Sequence, residues 1–176
     1  MPPRYSLAKS RAAELLKRGH VRKAPVPIEK LAAIVKAEIV LQPFDGEISG
    51  IVYRNSDGSA VIGVNSSDRR ERQRFTIAHE IGHILLHADE ELHVDKNFPI
   101  GLRSGLSGEG VDENEIEANQ FAAALLMPAD LIARDIEPLV GTDVLIAIHK
   151  LAKKYKVSEE AMSIRLSTLR YVRLGT

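Results

Sequence analysis

Residues 75–87 read Phe-Thr-Ile-Ala-His-Glu-Ile-Gly-His-Ile-Leu-Leu-His, and this run constrains the rest of the chain more than any other. Ile77, Ala78, Ile81, Gly82, Ile84, Leu85 and Leu86 are all uncharged, so the segment predicts a helix buried around its whole circumference. Inside it His79, Glu80 and His83 spell H-E-x-x-H. Residues four apart lie one above the other on a helix, so His79 and His83 project from one face. Two imidazoles at that separation can reach one Zn²⁺. Glu80 is offset from both and is placed as a base for water rather than as a ligand. Two His and a Glu buried among apolar residues are costly unless something pairs with them, and a metal ion does that.

A third ligand is expected from residues 111–128, a strong helix with acids in its first turns, an apolar second half and Pro128 as terminator. Glu115, Ala118, Asn119, Ala122 and Leu126 share a face, and packing through Phe121, Ala122, Leu125 and Leu126 would bring Glu115 near the metal. Glu117 lies about 200° around from Glu115 at ~100° per residue, so only one of the two faces the site. Two His, one Glu and an open position make the ligand set of a catalytic zinc. His87, four residues beyond His83, is read as a helix-end residue beside the site rather than as a ligand to the same ion.

The remaining elements frame this pair. Residues 7–18 and 28–37 form amphipathic helices whose expected job is packing. Strands follow at 39–41, 48–54 and 59–64, the last two joined by the hairpin signal Asn55-Ser56-Asp57-Gly58. The strand ending at Asn65 runs almost directly into the H-E-x-x-H helix and, as a sheet edge, could pair with an extended peptide. Asp68 with Glu71, or Ser66 or Ser67, would cap that helix. Arg69, Arg70, Arg72 and Arg74 read as its solvated first turns. Residues 88–110 form a long Gly-containing stretch, a lid over the cleft or an insertion without a role. Helices at 129–136, 143–155 and 158–172 complete the chain, with a helix-turn-helix-like turn at Lys156-Val157 and Ser158 as N-cap. The fold expected is α+β, a small, mostly antiparallel sheet against the active-site helix and a mainly helical C-terminal part, in a zincin-like arrangement. Residues 1–128 form the core and 129–176 a helical subdomain packed on it.

Composition removes several classes. The chain has no cysteine, which excludes disulfides, thiolate metal sites and cysteine nucleophiles. Net charge is zero, so nothing overall suggests a polyanion binder. The absence of Trp argues against a stacking platform for single-stranded nucleic acid. The N-terminus lacks the apolar core of a signal peptide and no stretch approaches membrane-spanning length, so a cytoplasmic protein without membrane contact is expected.

Arg74-Phe75-Thr76-Ile77-Ala78-His79-Glu80-Ile81-Gly82-His83, followed by Glu115-Ile116-Glu117-Ala118-Asn119-Gln120-Phe121-Ala122-Ala123 and Leu125-Leu126-Met127-Pro128, resembles the ImmA/IrrE family of metallo-endopeptidases over roughly residues 25–170. The resemblance implies His79, His83 and Glu115 as zinc ligands and Glu80 as catalytic base, with Glu117 as the fallback ligand. It also implies a protein substrate, a transcriptional repressor of the Xre-like helix-turn-helix kind, whose cleavage relieves repression.

The reading is therefore a zinc-dependent endopeptidase. Glu80 takes a proton from water and passes it to the leaving amine, and Tyr53, His93 or His87 donates to the developing oxyanion. One alternative is a zinc-containing module that binds and displaces a repressor without cutting it. The other is a DNA-binding regulator using the C-terminal helices, where seven Lys or Arg stand against three acids from Thr142 onward.

Overall fold

A tight turn at Asn55–Gly58 sets the centre of the sheet. Gly58 sits at φ 81°, a backbone region that glycine enters without a Cβ penalty, and Asp57 Oδ1 accepts from the Ser59 N–H at 2.9 Å. The strands on either side, β2 (Ile48–Arg54) and β3 (Ala60–Asn65), pair antiparallel with Val52 opposite Ile62. This is a computed structural model describing residues 2–45, 48–87, 92–96 and 112–172. Strand β1 (Ala37–Gln42) runs parallel to β3 on its other side, and β4 (Leu92–Lys96) runs antiparallel to β2, giving the order β1-β3-β2-β4.

Two expectations change here. Strand β3 is interior, paired on both sides, so it has no edge to offer a peptide; among the described residues the edges are β1 and β4. Part of the stretch read as a loop is strand β4. Its polar His93 points inward while Leu92 and Val94 are exposed, the reverse of the pattern that signals a half-buried strand. The rest of 88–110, residues 88–91 and 97–110, and with it the lid reading, lies outside the described residues.

The helices are α1 (Tyr5–Arg18), α2 (Ile28–Ile34), α3 (Arg70–Leu86), α4 (Glu113–Leu126), α5 (Ala129–Ile136), α6 (Val144–Tyr155) and α7 (Glu159–Thr168), with a 3₁₀ turn at Glu137–Leu139. The fold is α+β. Helix α3 packs between the sheet and α4, and α1 lies along α4 through Ala8, Ala12 and Leu15. At the α3–α4 crossing Gly82 lets the backbones close up: a Cβ added there would lie 3.1 Å from Ala118 Cα and 3.2 Å from Phe121 Cδ1. The expected caps at Ser66, Ser67 or Asp68 are not used. Helix α3 begins after Arg69 without a side-chain cap, and Gln73 Nε2 instead donates to the carbonyl of Asp68 at 2.8 Å. Nor are all four arginines simply solvated. Arg72 Nη2 donates to Ser49 Oγ (3.0 Å) and Arg74 Nη2 to the Val26 carbonyl (2.8 Å), pinning the helix to β2 and to the connector before α2.

The far end of α3 is held by Arg54. Its guanidinium donates to the carbonyls of His83 (2.6 Å), Ile84 (3.0 Å) and His87 (2.7 Å), placing positive charge at the negative end of the helix. One hydrophobic core runs from Ala8 on α1 to Leu166 on α7. Arg165 crosses from α7 to donate to the Met127 carbonyl at 2.9 Å, and Ser158 caps α7 by accepting from the Ala161 N–H. Among the described residues no helix is long and apolar enough to cross a membrane.

Candidate metal centre

His79 and His83 stand one turn apart on the face of α3 turned toward α4, 2% and 0% exposed. Their Nε2 atoms are 3.0 Å apart. From α4, Glu115 offers Oε2 to His79 Nε2 and Oε1 to His83 Nε2, both at 3.2 Å. His93 arrives from β4, opposite Val52 in register, with its ring stacked on His83 at 3.6 Å between centroids and Nε2 3.0 Å from Glu115 Oε1. One donor atom from each of these four residues lies within 4.8 Å of the others, a group that could hold a metal ion.

The donor chemistry fits a cation. The Nδ1 of His79 meets Asn119 Oδ1 at 3.0 Å. An amide oxygen only accepts, so Nδ1 carries the hydrogen and Nε2 keeps its lone pair. Burial, above all, pushes the His83 imidazole down to about 3, so that ring is neutral near pH 7. Lone pairs and an anionic carboxylate therefore converge on one buried point, an arrangement that repels itself unless a positive charge sits in it. Ligands about 2.0–2.1 Å from a tetrahedral Zn²⁺ stand roughly 3.3–3.4 Å from one another. The contacts of 3.0–3.2 Å seen here are close to that spacing.

Glu80 contributes no atom to this cluster. It is fully buried one residue after His79, its carboxylate set against β2 where Gly50 leaves room: a Cβ on Gly50 would come 2.6 Å from Glu80 Oε1 and 2.4 Å from Thr76 Cγ2. Glu117 faces away from the cluster, as the helical-wheel argument required of one of the two acids. It is bound by Arg4 through the backbone N–H, Nε and Nη2, and its Oε2 lies 3.1 Å from His87 Nε2. Of the three expected oxyanion donors, His93 is at the cluster. His87 is turned toward His83 Nδ1 and Glu117. Tyr53 alternates with Val52 along β2 and is exposed on the other face of the sheet.

Sequence reasoning missed Arg4, which looks like any basic residue ahead of a helix. It placed Asn119 on the right face without giving it a partner, although an Asn four residues after Glu115 stands beside it one turn along. A cleft of about 590 Å³ lies between the start of α3 and the α6–α7 pair, lined among others by Arg72, Phe75, Lys153, Val157 and Ala161 and by none of the four donor residues. Phe75 lies one turn before His79, with 6.3 Å between ring centroids.

Residues 35–167 match the family model described as the IrrE N-terminal-like domain. Over 99 residues the chain is 41% identical to the radiation response metalloprotease IrrE of Deinococcus radiodurans, covering 56% of this chain and 28% of that protein. The protein of the same name in Deinococcus deserti is 48% identical over 73 residues, 41% of this chain and 24% of that one. An uncharacterized immunity region protein 2 of Bacillus phage phi105 is 31% identical over 124 residues, 70% of each. Among solved structures, a Mycobacterium tuberculosis transcriptional regulator has the same fold at a TM-score of 0.60 and 20% identity, over 91% of this chain and 46% of that one. The chain thus spans about a quarter of the length of the two metalloproteases.

Proposed function

The chain belongs to the ImmA/IrrE family, and from that premise and the donor cluster between α3 and α4 we propose that it is a zinc-dependent endopeptidase. The observation that carries the reading is the convergence of His79 Nε2, His83 Nε2 and the Glu115 carboxylate beside a fully buried Glu80. In this reading the arrangement of α3 against the sheet is zincin-like, and helices from residue 129 on form a subdomain packed against the core.

His79, His83 and Glu115 would hold the ion, which when bound acidifies a water molecule and polarises the scissile carbonyl. Glu80 takes a proton from the water as the new C–O bond forms and delivers it to the amine nitrogen as the C–N bond breaks. His93 donates to the oxyanion that develops on the carbonyl. Asn119 keeps His79 in the tautomer that presents Nε2. In this reading the outer edge of β4, which carries His93, pairs with an extended substrate backbone.

The substrate we propose is a cytoplasmic transcriptional repressor of the Xre-like helix-turn-helix kind, whose cleavage relieves repression. A phage relative named for an immunity region supports a regulatory target. The test is incubation with a co-encoded helix-turn-helix repressor, with and without Zn²⁺, beside Glu80→Gln. Zinc-dependent fragments from the native chain alone are expected; fragments from Glu80→Gln as well would remove the general-base role.

His93 favours a second reading. A fourth protein donor at the cluster would close the coordination shell, as in structural zinc sites, and the chain would then bind and displace the repressor without cutting it. His93→Ala separates the two. If His93 serves the oxyanion, the variant keeps its zinc and loses turnover; if it is a ligand, zinc affinity falls.

A further inference from the structure

His83 differs from His79 in how its second ring nitrogen is held. His79 Nδ1 meets an amide oxygen directly, whereas His83 Nδ1 meets another imidazole, His87 Nδ1, at 3.2 Å. The proton order along that contact follows from its far end. His87 Nε2 lies 3.1 Å from Glu117 Oε2. Arg4 places its backbone N–H, Nε and Nη2 on the same carboxylate, the last at 2.8 Å. A carboxylate so bound is an acceptor only, so His87 Nε2 carries the hydrogen. In a neutral ring His87 Nδ1 is then a lone pair, so His83 Nδ1 must donate to it. The His83 lone pair is left on Nε2, facing His79 Nε2 and Glu115.

We propose that Arg4, Glu117 and His87 form a positioning chain that fixes the tautomer and ring orientation of His83 and so sets the affinity of the site for its ion. Supporting partners of this kind orient metal-binding imidazoles and raise their basicity. Here the support is three contacts long and ends at the surface, where the Arg4 side chain is half exposed. Arg4 lies outside residues 35–167, which match the family model, so this link comes from a part of the chain that the family domain does not include. Glu117, the acid turned away from the ion, acquires a role through His87.

The test is zinc affinity by chelator competition, with the visible spectrum of the Co²⁺-loaded protein and the melting temperature of the metal-free protein measured beside it. His87→Leu removes the acceptor for His83 Nδ1; His87→Asn keeps an oxygen near the position of Nδ1. His87→Leu should weaken zinc binding on the order of 10- to 100-fold and alter the Co²⁺ spectrum. His87→Asn should recover most of the affinity, although both variants lose the contact with Glu117. Arg4→Ala, at a half-exposed position, reads the outer link even where Leu at position 87 does not fold; it should lower metal-free melting through the lost Glu117 contacts and, measured well below that transition, weaken zinc several-fold.

Native affinity in His87→Leu or Arg4→Ala overturns the chain, as does a His87→Asn protein as weak as His87→Leu. The inference rests on His83 being a ligand, and the native protein separates the two failures. A native chain that binds no zinc overturns the metal reading and this inference together. Native binding with unchanged variants overturns this inference alone.

Discussion

Gly50 is a small residue on which the placement of Glu80 depends. In Gly50→Ala the new methyl would fall 2.4 Å from Thr76 Cγ2 and 2.6 Å from Glu80 Oε1. Ordinary contacts between such atoms are about 3.5–4.0 Å, so each neighbour must give by about an ångström. Neither has free space, because Thr76 and Glu80 are both fully buried. Overpacking of this size costs about 1–3 kcal/mol, or a fall in Tm of roughly 2–12 °C for a domain this large. The catalytic effect should be larger in proportion. An ångström of misplacement in a reacting group costs on the order of 10²-fold in rate, about 2.7 kcal/mol at 1.36 kcal/mol per decade. The three atoms nearest the new methyl belong to Thr76 and Glu80 and none to the metal cluster, so zinc affinity should stay within a few-fold of native. The measurements are calorimetry of the metal-free protein, chelator competition for Zn²⁺, and single-turnover cleavage of the proposed repressor substrate. A Gly50→Ala protein that cleaves at the native rate would refute the argument that β2 seats the base. So would one that loses zinc while keeping its stability, since the methyl would then be acting on the ligands.

Three other outcomes follow from contacts already described. Removing zinc with a chelator and restoring it should shift the melting temperature reversibly, by about 2.7 kcal/mol of stabilisation at a hundredfold excess over Kd; an unmoved transition would mean that the cluster holds no ion. Arg54→Ala strips three charge-assisted hydrogen bonds from the end of α3 and should cost about 2–3 kcal/mol, seen as a lower urea midpoint at unchanged slope. Contacts with Arg4, first among the causes, hold the Glu117 carboxyl down at about 2 against an ordinary value of 4.5. A depressed folded-state pKa stabilises above the ordinary value and is lost as pH falls through the folded one. Native melting should therefore decline between about pH 4.5 and pH 2 more steeply than that of Glu117→Gln; parallel acid limbs would contradict it.

Much of this molecule was legible because its signals are local. The hairpin at Asn55–Gly58, the limits of β2 and α5, and Ser158 as the cap of α7 each depend on residues a few positions apart. The face of α4 that meets α3 was equally legible, since three-four spacing places Glu115 and Asn119 together and turns Glu117 away. What escaped depends on tertiary partners. Strand β4 is too short to show a period, and its inward residue is a histidine that makes sense only once α3 and α4 are in place. Strand order is set by which strand lies between its neighbours, so β3 could be read as an edge although it is interior. Arg4 meets a carboxylate 113 positions away, and no rule about helix starts would look that far.

The closeness of Gly82 to Ala118 bears on how this scaffold can change over evolutionary time. Gly82 lies between His79 and His83 in sequence, and Ala118 between Glu115 and Asn119. The span between the two sets of donors is therefore governed by two backbones in contact rather than by adjustable rotamers. Exchanges of surface residues away from the donors and their hydrogen-bond partners can accumulate while that contact fixes the spacing of His79, His83 and Glu115. A side chain introduced at position 82 would do the opposite, spreading the helices and altering both faces of the grip in one step. Surfaces elsewhere on the fold can thus change while one backbone contact keeps the spacing of the donors on α3 and α4.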